Sequence, residues 1–97
     1  MSDSTVIVLI PTPLRRFTGG AAKVSVTGGT VGEAIASLNA AHPGISDKLL
    51  DEDGEIRRFV NVFVNGTNVR EGAGIATTIK AGDEIGVIPA MAGGAVR

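Results

Sequence analysis

The residues best placed to do chemistry are Gly93 and Gly94, a glycine pair that follows an apolar segment, Pro89 and the short stretch 90–92. Without side chains, such a pair can thread a narrow channel in a partner enzyme and carry a terminal carboxylate up to a bound nucleotide. A carboxylate is a poor acyl donor. Adenylation by ATP makes its carbonyl electrophilic, and a sulfur nucleophile can then displace AMP to leave a thiocarboxylate. The nucleophile, base and metal all belong to the partner in that scheme, which suits a chain with one histidine and no cysteine. The pattern alone is weak, because the chain holds 14 glycines, about twice the usual share. The dipeptide GG occurs at 19–20 and 28–29 as well as 93–94, and a flexible terminus would read the same way.

Other candidates are thinner. His42 reads as a helix-end residue, since a lone histidine without cysteine builds no recognisable metal site. Asp51, Glu52, Asp53 and Glu55 lack the twelve-residue spacing of a calcium loop and read as a solvated turn. Arg15, Arg16, Arg57, Arg58 and Arg70 read as solvated charges. Nine basic against ten acidic residues, with no basic run and only three aromatics, argue against a nucleic-acid platform. The N-terminus lacks a basic leader and no apolar run reaches membrane-spanning length, so the expected address is cytoplasmic, away from any membrane.

An apolar fraction of 43% suffices for one core, which must be aliphatic because tyrosine and tryptophan are absent. Residues 5–10 (TVIVLI) read as a buried strand stopped by Pro11 and Pro13, and residues 23–27 (KVSVT) as a second. The glycine pairs 19–20 and 28–29 that flank this second strand suit turns needing positive φ. Thr30 and Glu33 fit a capping box opening a helix whose inner face is Val31, Ala34, Ile35, Leu38 and Ala41. His42, Pro43 and Gly44 end it. Residues 45–50 suggest one more helical turn, leading into the acidic turn at 51–54. A period-two strand follows at 58–64, then a tight turn at Asn65 and Gly66 and a short strand at 68–70. A turn at 81–83 precedes the last strand, 84–88, which Pro89 ends.

One amphipathic helix has to lie across a sheet to bury its face, giving a two-layer α+β domain. The order of elements predicts a β-grasp, or ubiquitin-like, fold: a mixed sheet of four to five strands packed on one main helix. The domain is expected to span 1–89, with 90–97 as a tail. If Val60, Val62 and Val64 face the helix, Phe59 and Phe63 lie on the outer face, where Ile88 can join them. Asn61 between the phenylalanines favours that register, and the three apolar residues would then form a docking patch for a partner.

The sequence resembles the MoaD/ThiS sulfur-carrier family, and within it the CysO-type members of cysteine biosynthesis. The likeness runs through IPTPLRRFTGG, GGTVGEAI, RRFVNVFVNGTNVR and AGDEIGVIPAMAGG, the last being the most specific. It implies a carrier with no catalytic residue, metal or cofactor of its own. Gly94 would be adenylated and thiolated by an ATP-dependent activating enzyme, and the thiocarboxylate would give its sulfur to a pyridoxal-phosphate cysteine synthase. Molybdopterin, thiamin or a secondary metabolite are alternative destinations, and a protein modifier or binding module is an alternative role. Family members commonly end at the diglycine, whereas here Ala95, Val96 and Arg97 follow. The Gly94 carboxylate is then held in a peptide bond until a peptidase, such as a zinc metallopeptidase of the JAMM type, cuts between Gly94 and Ala95. An added or never-processed tail is the other reading.

Overall fold

The computed structural model describes residues 5–89. Strand β1 (Thr5–Leu9) pairs antiparallel with β2 (Lys23–Thr27) and parallel with β5 (Glu84–Pro89). On its other side β5 pairs antiparallel with β3 (Val60–Val64), which pairs with the two-residue β4 (Thr67–Asn68). The sheet order is β2-β1-β5-β3-β4. Helix α1 (Val31–Ala41) and the single turn α2 (Ser46–Leu49) complete the α+β arrangement. This is the mixed, five-stranded β-grasp sheet on one main helix that the sequence predicts.

Strict alternation decides which face each strand buries. Val6, Val8, Val26, Val60, Val62, Ile85 and Val87 all point inward, where they meet Val31, Ala34, Ile35 and Leu38 of α1. Ala41, assigned to the same helix face by spacing, is exposed. It is the last helical residue, where the chain is already leaving the sheet. Beyond it the His42 N–H closes the helix on the Leu38 carbonyl at 2.8 Å. Gly44 then takes a left-handed φ of +100°, a conformation that costs a side chain about 1–2 kcal/mol.

The helix start is a capping box displaced by one residue. The Glu33 N–H donates to Thr30 Oγ1 at 3.2 Å, while Glu33 Oε1 accepts from the N–H of Gly29, at 2.7 Å, rather than from Thr30 itself. The flanking glycines divide in a way spacing does not foretell. Gly19 and Gly20 have positive φ, as expected, but Gly28 and Gly29 do not. Gly28 is required for a different reason: a Cβ there would stand 2.8 Å from the Ala34 nitrogen. Elsewhere β1 ends at Leu9 and Pro11 caps an unforeseen 3-10 helix, Thr12–Phe17. Asn65 (φ 51°) and Gly66 (φ 90°) form the expected tight turn. The strand expected at 68–70 is only Thr67–Asn68, giving way to a 3-10 turn at Val69–Glu71.

Candidate functional site

β5 carries the chain toward the diglycine, and the sheet holds that strand on both sides. Its outward residues are Glu84, Gly86 and Ile88. Gly86 lies opposite Leu9 of β1 and Phe63 of β3, so one row crosses the sheet as leucine, glycine, phenylalanine. A Cβ at Gly86 would meet nothing within 4 Å. The missing side chain therefore makes a floor, with Leu9 and Phe63 as walls. The result is an open groove of about 360 Å³ lined by Leu9, Phe63, Gly66, Glu84, Gly86 and Ile88.

The next row toward the tail pairs Ile88 with Asn61. Ile88 is 55% exposed and Phe59, just before β3, is 63% exposed, whereas Phe63 is half-buried. Large apolar side chains left in water beside one another mark a contact surface more often than a scattered one. The outward register predicted for Phe63 and Ile88 therefore holds, with Val60 and Val62 buried beneath, but β3 starts at Val60 rather than at Arg58, so Phe59 is exposed in the turn before the strand. Leu9 is not legible from the sequence because residues 6–10 (VIVLI) are apolar without a break; only the inward positions of Val6 and Val8 place it on the outer face. Asn68, opposite Phe63, donates through Nδ2 to Asn61 Oδ1 at 3.4 Å and edges the patch with polar groups.

The end of β5 remote from the tail is fixed by Asp83, which is buried. Its carboxylate accepts from the Lys80 N–H at 2.9 Å and from Asn65 Nδ2 at 3.0 Å, and Asn65 Oδ1 accepts from the Glu84 N–H. The Lys80 backbone bond, followed by the Asn65 amide, holds the Asp83 carboxyl below the usual carboxylate range. Two turns are thereby tied together under the strand. At the tail end, β1 pairs with β5 only as far as Gly86, because Pro11 diverts the chain. β5 runs on to Pro89, one residue past the predicted end, paired there with Val60 of β3.

Gly93, Gly94 and Ala95 lie outside the described residues. His42 sits at the C-cap of α1, and among the described residues no cluster of histidine, aspartate and glutamate could hold a metal ion. The acidic turn is organised internally: Asp51 Oδ1 accepts from the N–H groups of Asp53 and Glu55. Arg57 and Arg70 are exposed, as expected of solvated charges, and also donate to backbone carbonyls, Arg57 Nε to Asp47 at 2.8 Å and Arg70 to Val60 at 2.7 Å. No helix among the described residues is long and apolar enough to cross a membrane.

A Mycobacterium tuberculosis (strain H37Rv) protein described as sulfur carrier protein CysO is 47% identical over 91 residues, covering 92% of this chain and 98% of the relative. One chain of the crystal structure of the Amycolatopsis orientalis BexX/CysO complex superposes with a TM-score of 0.87 at 41% identity, over 90% of this chain and 97% of the other. Small archaeal modifier protein 3 of Haloferax volcanii is 43% identical over 65 residues, 67% of this chain and 70% of the relative. The model of the ThiS family matches residues 8–94. That match runs from the middle of β1 to the second glycine of the tail, through every strand that builds the outer face, and on it the chain belongs to the ThiS family.

Proposed function

We propose that this protein is a sulfur carrier whose working group is the Gly94 carboxylate, freed by removal of residues 95–97. An ATP-dependent activating enzyme transfers AMP to that carboxylate with release of pyrophosphate. A sulfur nucleophile then displaces AMP, and the thiocarboxylate donates sulfide in biosynthesis. Cysteine is the expected product, made by a synthase that supplies its own pyridoxal phosphate. The carrier contributes position, not catalysis. A peptidase, expected to be a zinc metallopeptidase, cuts between Gly94 and Ala95 beforehand.

The observation that carries this reading is that the strand leading to the diglycine forms the floor of an exposed apolar groove, with Ile88 exposed in its lining. A partner bound there through apolar contacts stands next to the base of the tail. The family match, which includes Gly93 and Gly94, and the likeness to CysO support the same reading. The likeness to an archaeal modifier protein favours a second one, in which activated Gly94 is passed to lysine amines.

Intact-mass analysis of the protein from its native cell tests the proposal. The expected species ends at Gly94 and carries one sulfur in place of one oxygen. Persistence of Arg97 in the active pool would refute the processing step, and lysine conjugates without any thiocarboxylate would replace the carrier with the modifier.

A further inference from the structure

We infer that the turn at 57–60 is a built docking element beside the tail, presenting Arg58 and Phe59 to a partner surface that pairs a carboxylate with an apolar pocket. Arg70 is its positioning residue. The inference rests on the carrier reading and specifies the chemistry of the activating enzyme's contact.

The turn is closed by the Val60 N–H donating to the Arg57 carbonyl at 2.9 Å, which leaves Arg58 and Phe59 at its two corners. Both corner side chains are exposed. Four further bonds fasten the turn to the fold. The Arg57 N–H donates to the Leu49 carbonyl at 2.9 Å, and Arg57 Nε donates to the Asp47 carbonyl. From the far side of the β3–β4 hairpin, Arg70 Nη2 donates to the carbonyls of both Arg57 and Val60, the two ends of the turn. A guanidinium is suited to this task because one terminal nitrogen carries two N–H donors, one for each carbonyl. The neighbouring Arg70 N–H is itself held by Asn68 Oδ1 at 2.9 Å.

These bonds hold the backbone that carries the exposed Phe59. Fixing that backbone before contact lowers the entropy cost of docking, which is where preorganised anchors derive their advantage. Phe59 and Ile88 are both exposed, and Phe59 directly precedes Val60, which pairs with Pro89 at the end of β5. Arg58 adds an exposed cation before β3, while residues 90–94 carry no charged side chain. The partner face that receives the tail therefore has to offer an acidic group next to an apolar pocket, and attraction between them speeds encounter more than it strengthens the final complex.

The test uses the chain ending at Gly94 and the ATP-dependent activating enzyme of the same organism, with binding measured by calorimetry without ATP and activation by pyrophosphate release with ATP. Arg58→Glu and Phe59→Ala are each expected to weaken binding and raise KM about tenfold with kcat unchanged. Added salt should weaken the wild-type interaction and narrow its gap to Arg58→Glu. Arg70→Gln should raise KM in the wild-type background but add nothing once Phe59 and Arg58 are both alanine, an interaction a merely stabilising residue would not show. Unchanged affinity and KM in both Arg58→Glu and Phe59→Ala would overturn the inference. Wild-type binding without pyrophosphate release would overturn the carrier reading alone, leaving the turn to be judged by affinity. Absence of wild-type binding would overturn both.

Discussion

Replacing Gly28 by alanine offers a demanding test of the packing between β2 and α1. A Cβ at position 28 would lie 2.8 Å from the Ala34 nitrogen and 3.1 Å from both the carbonyl carbon and the Cβ of Glu33. Ordinary contact begins near 3.4 Å, and most of the obstruction is helix backbone, so no rotamer change relieves it. Neither side is free to retreat. The Val31 N–H is bonded to the Thr77 carbonyl and the Ile79 N–H to the Gly29 carbonyl, both at 3.0 Å. Overpacking of this kind costs about 2 kcal/mol, which for a domain of this size is a fall of about 10 °C in Tm. Gly29→Ala is the control, because its Cβ would meet only Oε1 at the far end of the Glu33 side chain, at 3.3 Å, rather than helix backbone, and should cost less than about 1 kcal/mol. Lacking tryptophan and tyrosine, the protein is best followed by far-UV circular dichroism during thermal and urea unfolding. A Gly28→Ala variant that melts with Gly29→Ala, or within about 2 °C of wild type, would show the argument from close approach to be mistaken.

Removing the Thr30 hydroxyl should destabilise the domain by about 1 kcal/mol, read as a lower urea midpoint. Glu33→Ala should then add little to Thr30→Ala, since both act on the same helix start. Leu38→Ala empties a fully buried site and should cost about 3 kcal/mol. Phe63→Ser, on the groove wall, should cost much less in the same unfolding assay while slowing activation; gross unfolding would show that Phe63 belongs to the core. The folded pKa of Asp83 lies below its unfolded value, so its stabilisation is complete above about pH 4 and fades as pH falls through the folded value. The gap in urea midpoint between wild type and Asp83→Asn should therefore shrink on acidification, and a gap that stays constant to about pH 2 would show that the carboxylate is not the source.

The parts of the fold legible in the sequence are those with a local cause. α1 is announced by Thr30, Glu33 and the spacing of Val31, Ala34, Ile35 and Leu38, and β3 by valines alternating with polar and aromatic residues. That alternation also places Phe63 outside, because one inward valine fixes the face of every residue in a strand, whereas Phe59 is exposed in the turn before β3. Contacts set by chain segments far apart were less visible. Leu9 becomes a groove wall only because β5 lies between β1 and β3, a pairing no local pattern encodes. Gly28 resembles any turn glycine until the helix backbone is seen pressing on it. Arg70 reads as a surface charge because its acceptors are main-chain carbonyls, which leave no trace in side-chain composition. The diglycine itself is legible only through its position after β5 and the likeness to the ThiS family.

The central place of β5 has a mechanical consequence. An enzyme that braces against the end of the domain and draws the tail inward pulls β5 along its own axis. Its bonds to β1 and β3 are then loaded together in shear, rather than opened one at a time as at a frayed edge. The fastening of Asp83 and Asn65 at the far end resists the strand's sliding as a whole. Tension applied beyond Pro89 would thus be shared across the sheet, so the domain can be pulled by its last strand without being unravelled.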